Sequence, residues 1–348
     1  MSRKNVGIIG HFGGNENILD GQTIKTKILY NELQSSTNWK IIKVDTYYKS
    51  KNPVKLLLDT LVCLISAQDI IVLLSKNGMR YYFPLLYFCA KVFHTRVFHD
   101  VIGGNLNIYI KKFPRYVKYL NSFEKNWIET DGLKEKLEKE GINNCEVIPN
   151  FKRLKVIELK NANFNEPYKF CVFSRVMKEK GIETAIEAIE SINREAKREV
   201  CSLDIYGRID SGYKERFDNV MLGVTKSISY KGTVSYEQSV EVIMGYYALL
   251  FPTFWDGEGF PGTIVDAFSA GLPVIATDWN CNSEIIENEK NGILYPNNEI
   301  KNLKDAIKWL INNNTKIQEM KKNCLDSAKK YNPDKYIQQI INEINDVS

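Results

Sequence analysis

Two carboxylates and two cations stand out by type and spacing. In FWDGEGFPGTIVDAFSAGLPVIATD, Phe254 to Asp278, Glu258 sits in a Gly-rich loop and Asp266 follows eight residues later, where an apolar helical pattern has begun. A carboxylate can take one hydroxyl on each oxygen, so a pair of them suits vicinal diols, of which sugars and ribose are the obvious ones. In FSRVMKEKGIET, an apolar run ends at Ser174, Arg175 and Lys180 follow in the turn, and Gly181 opens a helical pattern. At the carboxyl end of a strand in an open α/β sheet, two cations beside a helix start suit a pyrophosphate. Each close cation to phosphate pair contributes up to about 4 kcal/mol at an effective dielectric near 20, before desolvation is subtracted. The plainer readings are that loop cations are solvated, and that Asp266, expected on the first turn of its helix, only complements the helix dipole.

The elements that would position these groups recur along the chain. Short β-like runs alternate with helical patterns: NVGIIGHF, a helix over about 23–33, WKIIKVDTY, a helix near 54–65, DIIVLLS and TRVFHDV. After NCEVIPNF and the polar stretch LKNANFNEP the rhythm restarts with YKFCVFS, GIETAIEAIESINREA, VCSLDIYG, SISYKGTV, YYALLFPT and LPVIATD. That alternation implies an α/β fold with parallel sheets and crossover helices, in two Rossmann-like halves joined by a linker near residues 152–167. The expected domains are 1–160 and 161–333. The tail NPDKYIQQIINEIND carries one apolar stripe, so a helix over 334–348 is expected to pack back on the first half.

Composition removes several classes. Seven scattered cysteines without a C-x-x-C pair suggest neither a disulfide framework nor a zinc site, which points to a reducing compartment. The 47 basic residues are nearly matched by 42 acidic ones, leaving +5, so bulk charge gives no support to nucleic-acid binding. The apolar run before Gly10 is too short for a signal-peptide core, and Met79–Phe93, interrupted by Pro84 and Lys91, falls short of a spanning helix. A cytoplasmic protein is expected. One segment reads two ways. Over 109–127, Lys111, Lys112, Arg115, Lys118 and Lys125 interleave with Tyr109, Phe113, Tyr116, Tyr119 and Trp127, which suits an anionic membrane surface or a solvated helix face with core aromatics.

The stretch EGFPGTIVDAFSAGLPVIATD, with SRVMKEKG and EVIPNF, resembles the retaining nucleotide-sugar glycosyltransferases of family 4, which have the GT-B fold: two Rossmann-like domains facing each other across a crevice. The resemblance covers the whole element order, with its specific motifs in the second half. It implies that Glu258 matches the first acid of an E-x7-E motif and contacts donor-sugar hydroxyls, with Gly259, Phe260, Pro261, Gly262 and Thr263 carrying the loop toward the phosphate. Asp266 matches the second acid, on the ribose, and departs from the family's Glu by one methylene. Arg175 and Lys180 match the basic pair on the diphosphate, and Lys231, Gly232 and Val234 lie in the region that receives the base. In the first half, Gly13 and Gly14 match a Gly-rich loop near donor and acceptor. His99 in VFHDVIGG is similar in position to a donor-site histidine, while His11 and His94 keep a structural reading.

The activity so implied is transfer of a sugar from a nucleoside diphosphate sugar, UDP by preference, to a saccharide hydroxyl, with retention of configuration. The donor is a substrate and no cofactor or metal is expected: no H-E-x-x-H, D-x-D or Cys/His cluster is present. The expected acceptor is a lipid-linked saccharide of a bacterial capsule or other surface polysaccharide, met at the inner face of the membrane. A glycosidase-like acid and nucleophile pair at Glu258 and Asp266 would leave the basic pair without a task. The rivals are a GT-B epimerase of nucleotide sugars and a binding protein without turnover.

Overall fold

A computed structural model describes residues 3–153 and 164–346 with the exception of 17 and 19. The expected linker near 152–167 therefore lies mostly outside the described residues. The chain divides into two compact units, Met1–Lys152 with Asn332–Ser348, and Arg153–Tyr331. The first boundary thus falls at 152/153 and the second at 331/332, where 160/161 and 333/334 are expected from sequence.

The first unit carries six strands: β1 Asn5–Gly10, β2 Lys40–Asp45, β3 Asp69–Leu73, β4 Arg96–Asp100, β5 Lys125–Ile128 and β6 Cys145–Val147. They form one parallel sheet in the order β2-β1-β3-β4-β5-β6. Its helices are α1 Gly21–Ser36, α2 Pro53–Ser66, α3 Lys76–Val92, α4 Leu106–Lys112, α5 Arg115–Leu120 and α6 Asp131–Lys139. β3 is buried along its whole length, as the uninterrupted apolar run DIIVL requires when helices cover both faces of a parallel sheet. α1 begins where the Asp20 carboxylate accepts the Thr23 N–H at 2.9 Å, a side-chain cap on otherwise unpaired backbone.

The second unit repeats the scheme with β7 Tyr168–Phe173, β8 Cys201–Tyr206, β9 Ile228–Gly232, β10 Ala248–Phe251, β11 Val274–Thr277 and β12 Gly292–Tyr295, ordered β12-β11-β10-β7-β8-β9. Its helices are α7 Ile182–Ala196, α8 Lys214–Leu222, α9 Ser239–Ile243, α10 Gly262–Ser269, α11 Asn282–Ile285, α12 Ile300–Asn312 and α13 Ile317–Lys329. α7 shows how the pattern drives packing. Its Ile182, Ala185, Ile186, Ala188, Ile189 and Ile192 are all buried and form one stripe against the sheet.

The last helix, α14 Pro333–Asn345, returns to the first unit. Tyr336 stacks on Phe151 with ring centroids 6.0 Å apart, and the Trp127 indole donates to Glu343 at 2.6 Å. The Arg96 guanidinium donates to the Ile344 carbonyl at 2.6 Å.

The segment over 109–127 resolves into α4, α5 and β5. Tyr116 and Trp127 are fully buried, and Tyr109, Phe113 and Tyr119 pack on the core around Phe83. Its aromatics are therefore core, while Lys111, Lys112, Arg115 and Lys118 are exposed, which favours the second of the two readings, a solvated helix face with core aromatics.

Candidate functional site

The second sheet has the order 3-2-1-4-5-6 when its strands are counted within the unit, so direction reverses between β7 and β10. At such a switch point the loops leaving the two strands diverge to opposite faces and open a crevice at their carboxyl ends. Arg175 and Lys180 leave β7 and Glu258 leaves β10. Topology alone therefore brings together groups about 80 residues apart.

Contacts between the two loops fix the arrangement. A short 3-10 turn, Lys178–Lys180, precedes Gly181, whose φ is 68°. A Cβ there would lie 2.0 Å from the Pro252 carbonyl oxygen, so only glycine lets the start of α7 approach the exit of β10 this closely. The Phe254 N–H then donates to the Glu179 carbonyl at 2.8 Å. Between these anchors, the Lys180 ammonium is ion-paired with the Glu258 carboxylate, and both side chains are more than nine-tenths buried. The Thr253 hydroxyl donates to the same carboxylate at 3.0 Å. The Phe251 and Trp255 rings lie 5.3 and 5.1 Å from the ammonium, a cation–π setting on a desolvated charge.

Behind Glu258 the loop is clamped by the segment after β11. The Trp279 indole donates to the Trp255 carbonyl at 3.1 Å, and the Asn280 amide reaches the carbonyl of Glu258 at 3.3 Å. The Cys281 thiol reaches the carbonyl of Gly259 at 3.1 Å. Sequence reading missed Thr253, Trp279, Asn280 and Cys281; the only signal was their position just beyond apolar strands.

The other expected residues fall around this pair. Arg175 is exposed, and its guanidinium has no ion-pair partner among the described residues. Phe260 is buried against Tyr331, with ring centroids 5.0 Å apart, and Pro261 caps α10. The Thr263 hydroxyl donates to the Phe173 carbonyl at 2.7 Å and ties the start of α10 to the end of β7. The N–H groups of Gly262 and Thr263 donate to no described residue, leaving them open to an anion. Asp266 is buried and is the fifth residue of α10, which starts at Gly262. It thus opens the second turn, where the first is expected from sequence, and a simple helix-dipole role loses its basis. Gly271, with φ 59°, ends the helix as expected. At the end of β9, Lys231 pairs with Asp204 at 3.4 Å, and the Gly232 carbonyl accepts the Gly207 N–H at 2.8 Å. Val234 follows, half-buried. Among the described residues no group of three His, Cys, Asp or Glu side chains is placed to hold a metal ion.

Residues 155–330, just over half of the chain, match the family described as glycosyl transferases group 1. The chain belongs to that family. It is 25% identical over 226 residues to an uncharacterized glycosyltransferase of Methanocaldococcus jannaschii, a match covering 62% of this chain and 54% of the relative. The chain spans about half the length, or less, of the curated relatives it matches. Among solved structures, sucrose-phosphate synthase from Thermosynechococcus elongatus superposes with a TM-score of 0.78 at 14% identity, over 98% of each chain. The Anabaena protein HepE, in complex with UDP and glucose, gives 0.74 at 13% identity, over 99% of this chain and 100% of that one. At such identities the likeness fixes the fold, which is GT-B.

The first unit of this chain also has a switch point, between β1 and β3. Gly13 and Gly14, with φ of 84° and 59°, lie in the loop leaving β1. The Asp45 carboxylate accepts the N–H groups of Phe12 and Gly14 at 2.9 and 2.8 Å. The loop is thereby preformed, and the Gly14 N–H is already engaged by protein.

His99 does not lie at a surface. It sits within β4, 1% exposed, with the Phe83 ring 5.0 Å away and Nδ1 3.2 Å from Asn126 Oδ1. Burial pushes its pKa down to about 3, so the ring is neutral. The ring that the resemblance places at the donor is thus enclosed by Phe83 and Phe123 of its own unit. His11 keeps its structural place, with Nδ1 2.7 Å from the Thr23 hydroxyl.

The first unit holds another buried charge cluster that spacing did not reveal. Lys25 on α1 meets Asp100, the last residue of β4, at 2.5 Å and Glu129, just past β5, at 2.9 Å. Burial alone would lower the ammonium's pKa, but the two carboxylates outweigh it and hold Lys25 above its ordinary value.

Proposed function

We propose that this glycosyltransferase moves a glycosyl unit from a UDP-sugar to a hydroxyl of a saccharide acceptor, with retention of configuration and without a metal. The observation that carries the reading is the buried Lys180–Glu258 pair at the switch point of the second unit, flanked by the exposed Arg175 and the start of α10. In this reading Arg175, the remaining donors of Lys180 and the N–H groups of Gly262 and Thr263 bind the donor diphosphate. Glu258 accepts from sugar hydroxyls, Asp266 from the ribose, and the backbone over Lys231 to Val234 receives the base.

The bond from the anomeric carbon to the diphosphate breaks as the bond to the acceptor oxygen forms on the same face. The acceptor proton passes to the departing phosphate oxygen. Negative charge therefore grows on the diphosphate in the transition state, and fixed donors already aimed there lower the barrier without reorganising. The complex of HepE with UDP and glucose supports UDP as the carrier by likeness of fold. Gly13 and Gly14 are assigned to the loop that approaches the donor phosphate and the acceptor. The acceptor is read as lipid-linked, in capsule or other surface-glycan synthesis at the inner face of the membrane.

The test is calorimetric titration with UDP, GDP, dTDP and ADP in EDTA, followed by turnover of the matching nucleotide sugars with saccharide acceptors. Binding of UDP and a glycosylated product with the donor's anomeric configuration support the proposal. A C2-epimerised free sugar, or tight donor binding with no product, would replace it with an epimerase or a binding protein.

A further inference from the structure

α2 carries a row of large apolar residues on its outer face. Its fully buried residues are Thr60 and Cys63. The thiol of Cys63 occupies the space above Gly7 on β1, where a Cβ would lie 2.4 Å from the sulfur. Val54, Leu57, Leu58, Leu61, Val62 and Ile65 are all exposed, Ile65 to 84%. Residues 54, 58, 61 and 65 follow the i, i+4, i+7, i+11 spacing of one helix face. Leu56, Thr60, Cys63 and Leu64 pack toward the core, so α2 is apolar on its outer face as well as its inner one, unlike an ordinary surface helix.

α3 repeats the pattern. Met79, Phe83, Leu86 and Cys89 face the core, while Tyr81, Leu85, Phe88 and Val92, with the same spacing, are exposed. The two helices are neighbours, since the Thr60 hydroxyl lies 3.0 Å from that of Tyr82. Their outer faces join into one apolar surface of leucines, valines and aromatics, larger than scattered exposed apolar residues explain.

The charges around this surface are nearly all positive. From the turn before α2 to the end of α3, Lys49, Lys51, Lys55, Lys76, Arg80 and Lys91 are exposed. Two carboxylates fall in the same span. Asp59 is paired with Lys55, and Asp69 is buried and paired with Lys4 and Arg96. α5 extends the basic margin, with Lys118 lying 5.0 Å from the ring of Tyr87 on α3.

We propose that the outer face of α2 and α3 docks on an anionic phospholipid bilayer, with its apolar side chains in the acyl boundary and the cations at the headgroups. An apolar stripe bordered by Lys and Arg is what a helix lying in the interface plane needs. No described helix is long and apolar enough to cross a membrane, so the surface lies on the bilayer. A protein partner would be expected to place carboxylates against the cations, whereas a bilayer of anionic lipid supplies charge and hydrocarbon together. The inference deepens the lipid-linked acceptor reading, on which it rests for its purpose alone.

The test is co-sedimentation of the full chain with vesicles of phosphatidylglycerol and phosphatidylcholine in equal parts, and of phosphatidylcholine alone. Binding is expected to the anionic vesicles, weakening as salt rises. Leu58→Gln/Leu61→Gln/Phe88→Gln should reduce it about tenfold or more, each change removing apolar contact at an exposed position. Lys55→Gln/Arg80→Gln/Lys91→Gln should abolish the preference for anionic lipid. Circular dichroism and UDP titration of each variant show that it is folded and read the donor site separately. Vesicle binding without UDP binding would sink the donor reading and leave this one standing. Absence of vesicle binding by the unaltered chain, or equal binding by the apolar triple variant, would overturn it. So would a dimer in solution that the apolar triple variant dissolves without vesicle binding.

Discussion

Lys180 and Glu258, 78 residues apart in the chain, form one buried ion pair between the rings of Phe251 and Trp255. At this depth each side chain is the other's ion-pair partner. Removing one partner of a buried pair costs about 3–5 kcal/mol, because the survivor is left desolvated and uncompensated. Lys180→Met and Glu258→Gln are each expected to lower the melting temperature by about 6 °C or more, by the usual 2–4 °C per kcal/mol for a unit of this size. The double variant should melt above Lys180→Met. Differential scanning calorimetry checks this, and single variants that melt with the unaltered protein would show a solvated pair.

Arg175 makes the opposite case. Its guanidinium is exposed and has no ion-pair partner among the described residues, so nothing in the fold depends on it. Arg175→Ala should leave the melting temperature unchanged, since surface substitutions stay within about 0.5 kcal/mol. UDP affinity should fall by about tenfold or more, the loss of one charge-assisted contact of 1.5–3 kcal/mol. Equal calorimetric affinity would remove Arg175 from the diphosphate site.

Much of this was legible because the signals are local. The rhythm of strands and helices, the cations after β7 and the acid in a Gly-rich loop each occupy a short window. β5 and β12 escaped notice because four-residue strands such as KNWI and GILY carry too little periodicity. The depth of His99 was not legible either: His-Asp at the end of a strand gives no sign that β4 is buried from Val97 through Asp100. Nothing local distinguishes a carboxylate on the first helical turn from one on the second, so Asp266 depended on where Pro261 lets α10 begin. The clamp of Trp279 and Asn280 on the Glu258 loop joins separate loops and exists only after the sheet has formed.

Gly181 decides whether the loops that carry Lys180 and Glu258 can meet. With φ at 68° and the Pro252 carbonyl 2.0 Å from a notional Cβ, Gly181→Ala forces α7 away from the exit of β10. The expected result is a loss of stability beyond about 2 kcal/mol, from positive-φ strain together with a backbone clash. UDP binding should weaken with it. Gly245→Ala, where a Cβ meets nothing within 4 Å, is the matched control and should leave both quantities unchanged. Urea unfolding of the two variants side by side makes the comparison, and equal midpoints would refute the close approach.

His99 gives the chain a defined response to acid. Burial takes its pKa from an ordinary value of 6.5 to about 3, so in that window the unfolded chain binds a proton that the folded chain refuses. Stability supplied by this group is complete above pH 6.5 and is lost as pH falls toward 3, with a slope approaching about 1.4 kcal/mol per pH unit. Carboxylates contribute to acid unfolding as well, so the informative quantity is a difference. His99→Gln keeps a polar group near Asn126 and removes the titration. The stability advantage of the unaltered protein over the variant should shrink by about 2 kcal/mol between pH 7.5 and pH 5. Urea midpoints at the two pH values measure it, and an advantage that does not change would mean that His99 is not held neutral. Turnover of the folded variant at pH 7.5 addresses its role directly. Retained turnover agrees with a ring enclosed by Phe83 and Phe123, whereas a loss of about 100-fold or more in a folded protein would return His99 to the catalytic site.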